Sequence, residues 1–370
     1  LERPDLARQF LKQVIDALSG LDEAGQLAAL VGLEQRFGST IFTEMAARAD
    51  LAPEAPQLSH AVLEAVRRHV EDPARLAGLV DQLKDPSAEV RYAAVAELQR
   101  AGSAAAGPLV AVLADESRAA EHANVRAALV QLGSDALDPL IAVLESSNPN
   151  LVVEAIRVLG DLGNQKAVEF LLAPSVSSES DPAVRRAAEA ALVKLSGHAA
   201  SRETVVRVLA KRAEEYFRRR HNLREDLDGQ VRVWTWDDGA KQLTEKTVLT
   251  DDASLLFAAR LAGEVHSLAP DDQEILRLYL ATLLEQAAYE TGLDKPLRLA
   301  DGTPAARVAE FGVAAVEDLL AYALKTGRAP VAAAAARILA RDGNAETLLH
   351  RDAHAGPLAR AVCDGDRRVR

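Results

Sequence analysis

A short pattern of residues recurs through the middle of the chain, at a spacing typical of stacked helix pairs. Asp-Pro or Asn-Pro in a loop is followed by a valine-containing pair, Val-Arg in most units, and then by small residues and leucine. The valine-containing pairs that align are Val90-Arg91, Val125-Arg126, Val152-Val153 and Val184-Arg185. They are 35, 27 and 32 residues apart. Such periods predict an array of two-helix units that bury their apolar faces by stacking on one another.

The loop residues of this pattern are ones that start helices. Asp85, Asn148 and Asp181 each precede a proline, and their side chains can accept hydrogen bonds from the first turn of the next helix. Proline in that turn loses no backbone hydrogen bond. Only 4% of the residues are aromatic, so helices are expected to pack closely through small side chains. The sequence therefore predicts an all-α fold.

These residues resemble the HEAT-repeat family, in which the second helix of each unit opens with the same pattern. The resemblance implies a HEAT-type α-solenoid and a ladder of Asp and Arg side chains through the stacked units. The expected members of this ladder are Asp85, Arg91, Arg126, Asp181 and Arg185. Val152-Val153 lacks the arginine, so the ladder is expected to be interrupted in the third unit.

Four regions follow from the helical and strand periodicity. Residues 1–70 are an N-terminal helical hairpin region, and residues 73–200 are the HEAT array. Residues 201–300 contain a long charged helix at 203–225, a β-hairpin at 231–248 and a helix pair that resembles a tetratricopeptide unit. Residues 304–370 are a second HEAT-like array. The last residues repeat the opening of a second helix without its continuation, so the chain is expected to be a piece of a longer repeat protein.

Two tryptophans lie in the predicted hairpin. Residues 231–236 alternate in polarity, and Asp238-Gly239 is a typical hairpin turn. Trp234 and Trp236 share one face of the strand because side chains alternate. The favoured interpretation is that they anchor the hairpin on helices. The alternative is an exposed platform for a peptide or a glycan.

One basic cluster ends the predicted charged helix. It consists of Arg218, Arg219, Arg220 and His221. HEAT-like DNA glycosylases use a concave basic face, so binding or processing of nucleic acid at this helix is an alternative function. Glu214 and Glu215 interleave with the arginines, however, and the net charge of −12 opposes a phosphate partner. A solvated, ion-paired helix is favoured.

No residue set indicates a reaction. His350 and His354 have helical spacing for zinc, but the glutamate of the zinc-protease motif and a third ligand are missing from the sequence. A single cysteine, Cys363, excludes an internal disulfide. The His-Glu pairs of HEAT-type iron hydroxylases are also missing. We therefore predict a non-enzymatic chain with no catalytic residues, metal or cofactor.

The predicted function is a scaffold that binds a protein partner, or copies of itself, along an extended solenoid surface. The order of segments also resembles that of large HEAT-repeat proteins of planctomycete bacteria. That resemblance implies an exported protein and, as a third candidate function, a subunit of a cell-surface or periplasmic assembly. No apolar run reaches the roughly 18 residues that a membrane-spanning helix needs.

Overall fold

The computed structural model describes residues 3–220, 223, 228–293, 295, 297–341, 361 and 366. These residues form an all-α, HEAT-type solenoid fold with one two-stranded antiparallel sheet, which confirms the predicted fold class. The chain divides into two compact units, Leu1–Pro139 and Leu140–Arg370. Within the described part, no helix is long and apolar enough to cross a bilayer.

The first unit is built from short helix pairs. Its helices are α1 (Pro4–Ser19), α2 (Glu23–Phe37), α3 (Ser39–Ala46), α4 (Glu54–Val70), α5 (Pro73–Gln82), α6 (Ala88–Ala101), α7 (Ala106–Ala114) and α8 (His122–Leu132). Helix α9 (Leu137–Val143) contains the boundary between the units. Phe42, Leu58 and Val62 are central to the core that α2, α3 and α4 share. Burial of this apolar surface holds these helices together.

The second unit carries the insertion between repeats. Its helices are α10 (Pro149–Leu162), α11 (Ala167–Val176), α12 (Pro182–Ser196), α13 (Arg202–Phe217), α14 (Thr250–Leu268), α15 (Gln273–Thr291), α16 (Pro304–Ala309), α17 (Val313–Thr326) and α18 (Ala329–Arg341). Strands β1 (Gln230–Asp237) and β2 (Gln242–Leu249) pair between α13 and α14. The predicted helix pair of the insertion is present as α14 and α15.

The repeat loops start helices largely as the sequence predicts. Asn148 and Asp181 are the N-caps of α10 and α12, and each side chain accepts hydrogen bonds from main-chain amides of the first turn. Asp85 differs, because α6 begins two residues later and its N-cap is Ser87. The Asp85 carboxylate instead accepts the Ser87 amide at 2.7 Å. The loop before α6 is therefore two residues longer than the pattern alone suggests.

Helix α10 is apolar around most of its circumference, unlike the other second helices. Val152 and Val153 are both buried, as are Ile156 and Leu159. The helix also approaches α12 closely: a Cβ added to Gly160 would lie 3.1 Å from the Cβ of Ala191. Where α6 and α12 carry the half-buried Arg91 and Arg185, α10 therefore carries a buried valine.

The charged helix ends at Phe217 instead of continuing to residue 225. Arg219 has a left-handed backbone conformation with φ of +53°. The Arg219 amide donates to the Tyr216 carbonyl, and the Arg220 amide donates to the Glu215 carbonyl. This is the hydrogen-bond pattern of a Schellman motif, which terminates a helix by satisfying its last carbonyls. The prediction of one helix over 203–225 is therefore wrong, because charge periodicity does not reveal this turn.

The hairpin has the predicted strands and a longer turn. Gln230 pairs with Leu249, and Asp237 pairs with Gln242, so the loop contains four residues where the sequence predicts a two-residue turn at Asp238-Gly239. The Asp237 carboxylate closes the loop by accepting two main-chain amides, at 2.8 and 2.9 Å.

Candidate functional site

The repeat arginines hold loop carbonyl groups. Arg91 donates from Nη1 to the carbonyl oxygens of Asp85, at 2.7 Å, and Pro86, at 3.0 Å. Arg185 donates to the carbonyl oxygen of Ser177 at 2.9 Å. Each guanidinium thereby fastens the loop that precedes its own helix. Charge-assisted hydrogen bonds of this kind are stronger than neutral ones.

The ladder expected from the HEAT resemblance is replaced in these units by a different arrangement. The carboxylates of Asp85 and Asp181 accept main-chain amides, and the arginines hold carbonyls instead of those carboxylates. The unpaired amides at a helix start compete successfully for a nearby carboxylate. The expected Asp–Arg pairs at Asp85 and Asp181 are therefore wrong. Arg126 lies half-buried on α8.

The loop at residues 144–148, between α9 and α10, has no arginine of its own and is held from outside. Asp238, at the hairpin tip, accepts the Ser147 amide at 3.1 Å on each carboxylate oxygen. It also accepts the Ser146 hydroxyl at 3.2 Å and the indole N–H of Trp236 at 2.7 Å. The Trp236 indole, followed by the Ser147 amide and the serine hydroxyl groups, lowers the pKa of the Asp238 carboxyl.

A second contact with this loop comes from α14. The Arg260 side chain is 14% exposed and forms ion pairs with Glu145, at 2.9 Å, and Glu264, at 3.2 Å. It donates to the carbonyl oxygen of Ile141 at 3.2 Å, and its guanidinium lies 4.9 Å from the ring centroid of Phe170. Arg260 therefore does for the third repeat what Arg91 and Arg185 do within their own units. We call the contacts of Asp238 and Arg260 with residues 144–148 the loop clasp.

Glu264 is a buried carboxyl group that forms an ion pair with Arg260 of the loop clasp. Burial raises the pKa of Glu264, Arg260 opposes that increase, and the charges of Glu145 and Glu169 add to it. Its Oε2 atom is buried without a hydrogen-bond partner among the described residues. The neighbouring Glu169 accepts the Tyr216 hydroxyl at 2.9 Å. The Glu169 carboxyl group thus joins α11 to α13.

The tryptophans lie on the face of the hairpin opposite the one that packs on α14. Val231 and Val233 are buried against Ala253 of α14. Trp234 and Trp236 are half-buried and stand opposite Glu245 and Leu243 in the strand register. The two rings share a face, as predicted. The valines bury the other face of the hairpin against α14, and anchoring by the half-buried tryptophans stays a prediction.

The basic cluster is divided among different surroundings. Arg218 forms an ion pair with Glu214 of its own helix, and Arg220 is exposed. Arg219 turns inward and forms ion pairs with Glu285 and with Asp251, each at 3.2 Å. His221 lies outside the described residues, as do His350, His354 and Cys363.

Glu285 is the centre of a second buried charge cluster. It accepts a hydrogen bond from Arg328 at 2.7 Å, in addition to that from Arg219. Arg328 also lies 3.5 Å from the ring centroid of Phe217 and donates to the Phe217 carbonyl. The signal in the sequence that could have indicated this cluster is Glu285 itself, a charged residue next to Leu284 in an apolar helical stretch. Sequence reasoning missed Arg260, Glu264, Glu285 and Arg328.

The described side chains of these clusters form ion pairs and hydrogen bonds between helices. Within the residues that the structure describes, no group of three His, Cys, Asp or Glu side chains is placed to hold a metal ion. The arginines of both clusters are ion-paired with carboxylates. Their chemistry is that of fixed electrostatic contacts between helices.

Comparison with known proteins places HEAT repeats in the same part of the chain. A family model described as HEAT repeats matches residues 108–193 and 137–224, which include the 144–148 loop. The chain is also similar to phycocyanobilin lyase subunit beta of Thermosynechococcus vestitus. The two are 38% identical over 128 residues, which are 34% of this chain and 59% of that protein. The chain thus spans about three fifths of the length of this curated relative.

Proposed function

We propose that the chain is a non-enzymatic scaffold that binds a protein partner, or a second copy of itself, on its HEAT repeats. The observation that carries this proposal is the run of HEAT repeats over 108–224. Stacked repeats present a long, preformed surface, which is suited to a protein and larger than a small molecule needs. The relative is itself named as a subunit, which supports a function within an assembly.

Next to the repeats, we propose that the outward face of the hairpin contributes the strongest contacts of the binding surface. Trp234 and Trp236 present half-buried rings there, beside the exposed Arg232. Tryptophan and arginine are the residues most enriched at the energetic centres of protein interfaces. Arg218, Arg219 and Arg220 are not included, because they lie at the end of α13 and not on the hairpin.

The test combines oligomeric state with partner capture. Light scattering after gel filtration measures self-association, and affinity capture measures stoichiometric partners. Trp234→Ala is expected to weaken the association by a factor of ten or more, since a tryptophan at the energetic centre of an interface contributes about 2 kcal/mol or more. Leu63→Ala, at an exposed site on α4 outside the matched repeats, is the control and should bind normally. A monomer that captures no stoichiometric protein would contradict the proposal.

A second candidate is a protein-modifying role as one subunit of a lyase. The identity of 38% to phycocyanobilin lyase subunit beta is the observation that favours it. The chain would then bind the pigment or the protein that carries it, together with another subunit. Purified chain mixed with phycocyanobilin should shift the pigment's absorbance and elute with it if this candidate is correct. Unchanged absorbance and separate elution would oppose direct binding of the pigment.

Two more functions have weaker support in the residues of the chain. Nucleic-acid binding at Arg218–His221 predicts retention on immobilised DNA that decreases steeply with salt. Arg218 and Arg220 are the exposed arginines among the described residues of that cluster. A cell-surface or periplasmic assembly rests on the resemblance to planctomycete proteins and stays a prediction. Detection of the intact protein in a washed cell-envelope fraction would support it.

A further inference from the structure

The β1–β2 hairpin is attached to the rest of the second unit at two places that differ in chemistry. At its base, Val231 and Val233 are buried against Ala253 of α14, and Leu256 packs beside them. Burial of this kind is non-directional and tolerates small rotations. At its tip the attachment is polar.

The contacts of the tip converge on a single carboxylate. Asp238 is exposed, and its two oxygens receive the Ser147 amide, the Ser146 hydroxyl and the Trp236 indole N–H. Water can reach this site and compete for the same donors. Such exposed, charge-assisted hydrogen bonds are far more easily exchanged than the contacts of a buried core.

The loop under the tip keeps other contacts when Asp238 is removed. Arg260 holds the Ile141 carbonyl and the Glu145 carboxylate from the α14 side. Asn148 caps α10 from within the loop itself. These contacts do not involve the hairpin tip, so they can hold α9 and α10 in place when the tip is released.

From these contacts we propose that the hairpin is a strap. Its valine base is a hinge on α14, and the Asp238 carboxylate fastens its tip across the 144–148 loop. Opening separates the carboxylate from the Ser147 amide and the Ser146 hydroxyl, whereas Trp236 moves with the hairpin and away from the loop. The strap is a conformational device of the second unit, and it stands independently of the scaffold function.

Amide hydrogen exchange on the full chain tests the strap. Asp238→Ala is expected to accelerate exchange of the Ser147 amide by at least about tenfold, because that amide loses its acceptor. Iodide quenching of Trp236, measured in a Trp234→Phe background, should increase as well. Exchange in α14 and at Val233 should stay as in the unmodified chain. Glu245→Ala is the matched control, since Glu245 is a hairpin carboxylate that pairs with Arg232 and lies away from the loop.

Two outcomes would overturn the proposal. Equal exchange of the Ser147 amide in Asp238→Ala and Glu245→Ala would show that the carboxylate does not fasten the tip. Faster exchange throughout α10 and α14, with a lower melting temperature, would show that Asp238 is part of the core structure and not a fastening. Asp238→Asn keeps the shape of the side chain and one acceptor oxygen, so the Ser147 amide should exchange at an intermediate rate. This variant also controls for misfolding of Asp238→Ala.

Discussion

Replacement of Glu285 by alanine is expected to be among the most destabilising single changes in the second unit. The Glu285 side chain is 6% exposed and accepts hydrogen bonds from Arg219, at 3.2 Å, and Arg328, at 2.7 Å. The side chain of Arg328 is only 15% exposed. Glu285→Ala therefore leaves a guanidinium buried beside Phe217 without its counter-charge.

The size of the effect follows from that uncompensated charge. Removal of one partner from a buried ion pair costs about 3–5 kcal/mol. Two charge-assisted hydrogen bonds at about 1.5–3 kcal/mol each give a similar sum. In a cooperative unit of this size, about 3 kcal/mol lowers the melting temperature by roughly 6 °C or more.

Thermal and urea unfolding, followed by the helical circular dichroism signal, measure the loss. Asp318→Ala is the control, because it breaks the more exposed Arg277–Asp318 pair, for which about 0–1 kcal/mol is expected. The double variant Glu285→Met with Arg328→Met should recover part of the loss, since no unpaired charge then remains from that pair. If Glu285→Ala lowers the free energy of unfolding by no more than Asp318→Ala does, water screens the charges around Glu285 and the large effect expected from their burial is refuted.

Three further predictions concern burial and pH. Burial lowers the pKa of His266 below its ordinary 6.5, so stability should fall as pH decreases through that value. In His266→Gln the unfolding free energy should depend less on pH around 6.5, and an identical pH profile would contradict this prediction. Burial raises the pKa of Glu264, so ionisation of this carboxyl group opposes folding. Glu264→Gln should therefore become more stable than the unmodified chain as pH rises above the ordinary pKa of 4.5, and a relative increase in stability on acidification would contradict this. Ile156 is fully buried in α10. In urea unfolding, Ile156→Ala should lower the free energy of unfolding by about 2–5 kcal/mol and Ile156→Val by about 0.5–1.5 kcal/mol. Equal losses would argue against close packing around this side chain.

Features that depend on neighbouring residues were predictable from the sequence. The caps at Asn148 and Asp181, the two strands and the pairing of α14 with α15 all follow from residues within a few positions of one another. The common face of Trp234 and Trp236 follows from strand alternation alone. Periodicity and capping are local properties, and they determine which elements form.

Contacts between distant residues were not predictable in this way. Arg260 meets Ile141 across 119 positions, and Arg328 meets Phe217 across 111. Sequence spacing carries no signal for such pairs. The ladder failed for a different reason: the residue types were right, but amides at the helix starts compete for the aspartates. A residue pattern thus predicts which groups need partners more reliably than it predicts which partners they take.

The third repeat shows how a local gap in a pattern indicates a long-range contact. Arg91 and Arg185 fasten the loops before their own helices, whereas Val153 at the equivalent place is buried and has no polar group to donate. Loop carbonyls and amides still need partners, because unpaired polar groups near a core are costly. The insertion that follows α13 supplies them through Arg260 and Asp238. The insertion therefore compensates for the missing arginine at Val153. Arg260→Ala should loosen the 144–148 loop more than Asp238→Ala does, because Arg260 is the less exposed of the two residues.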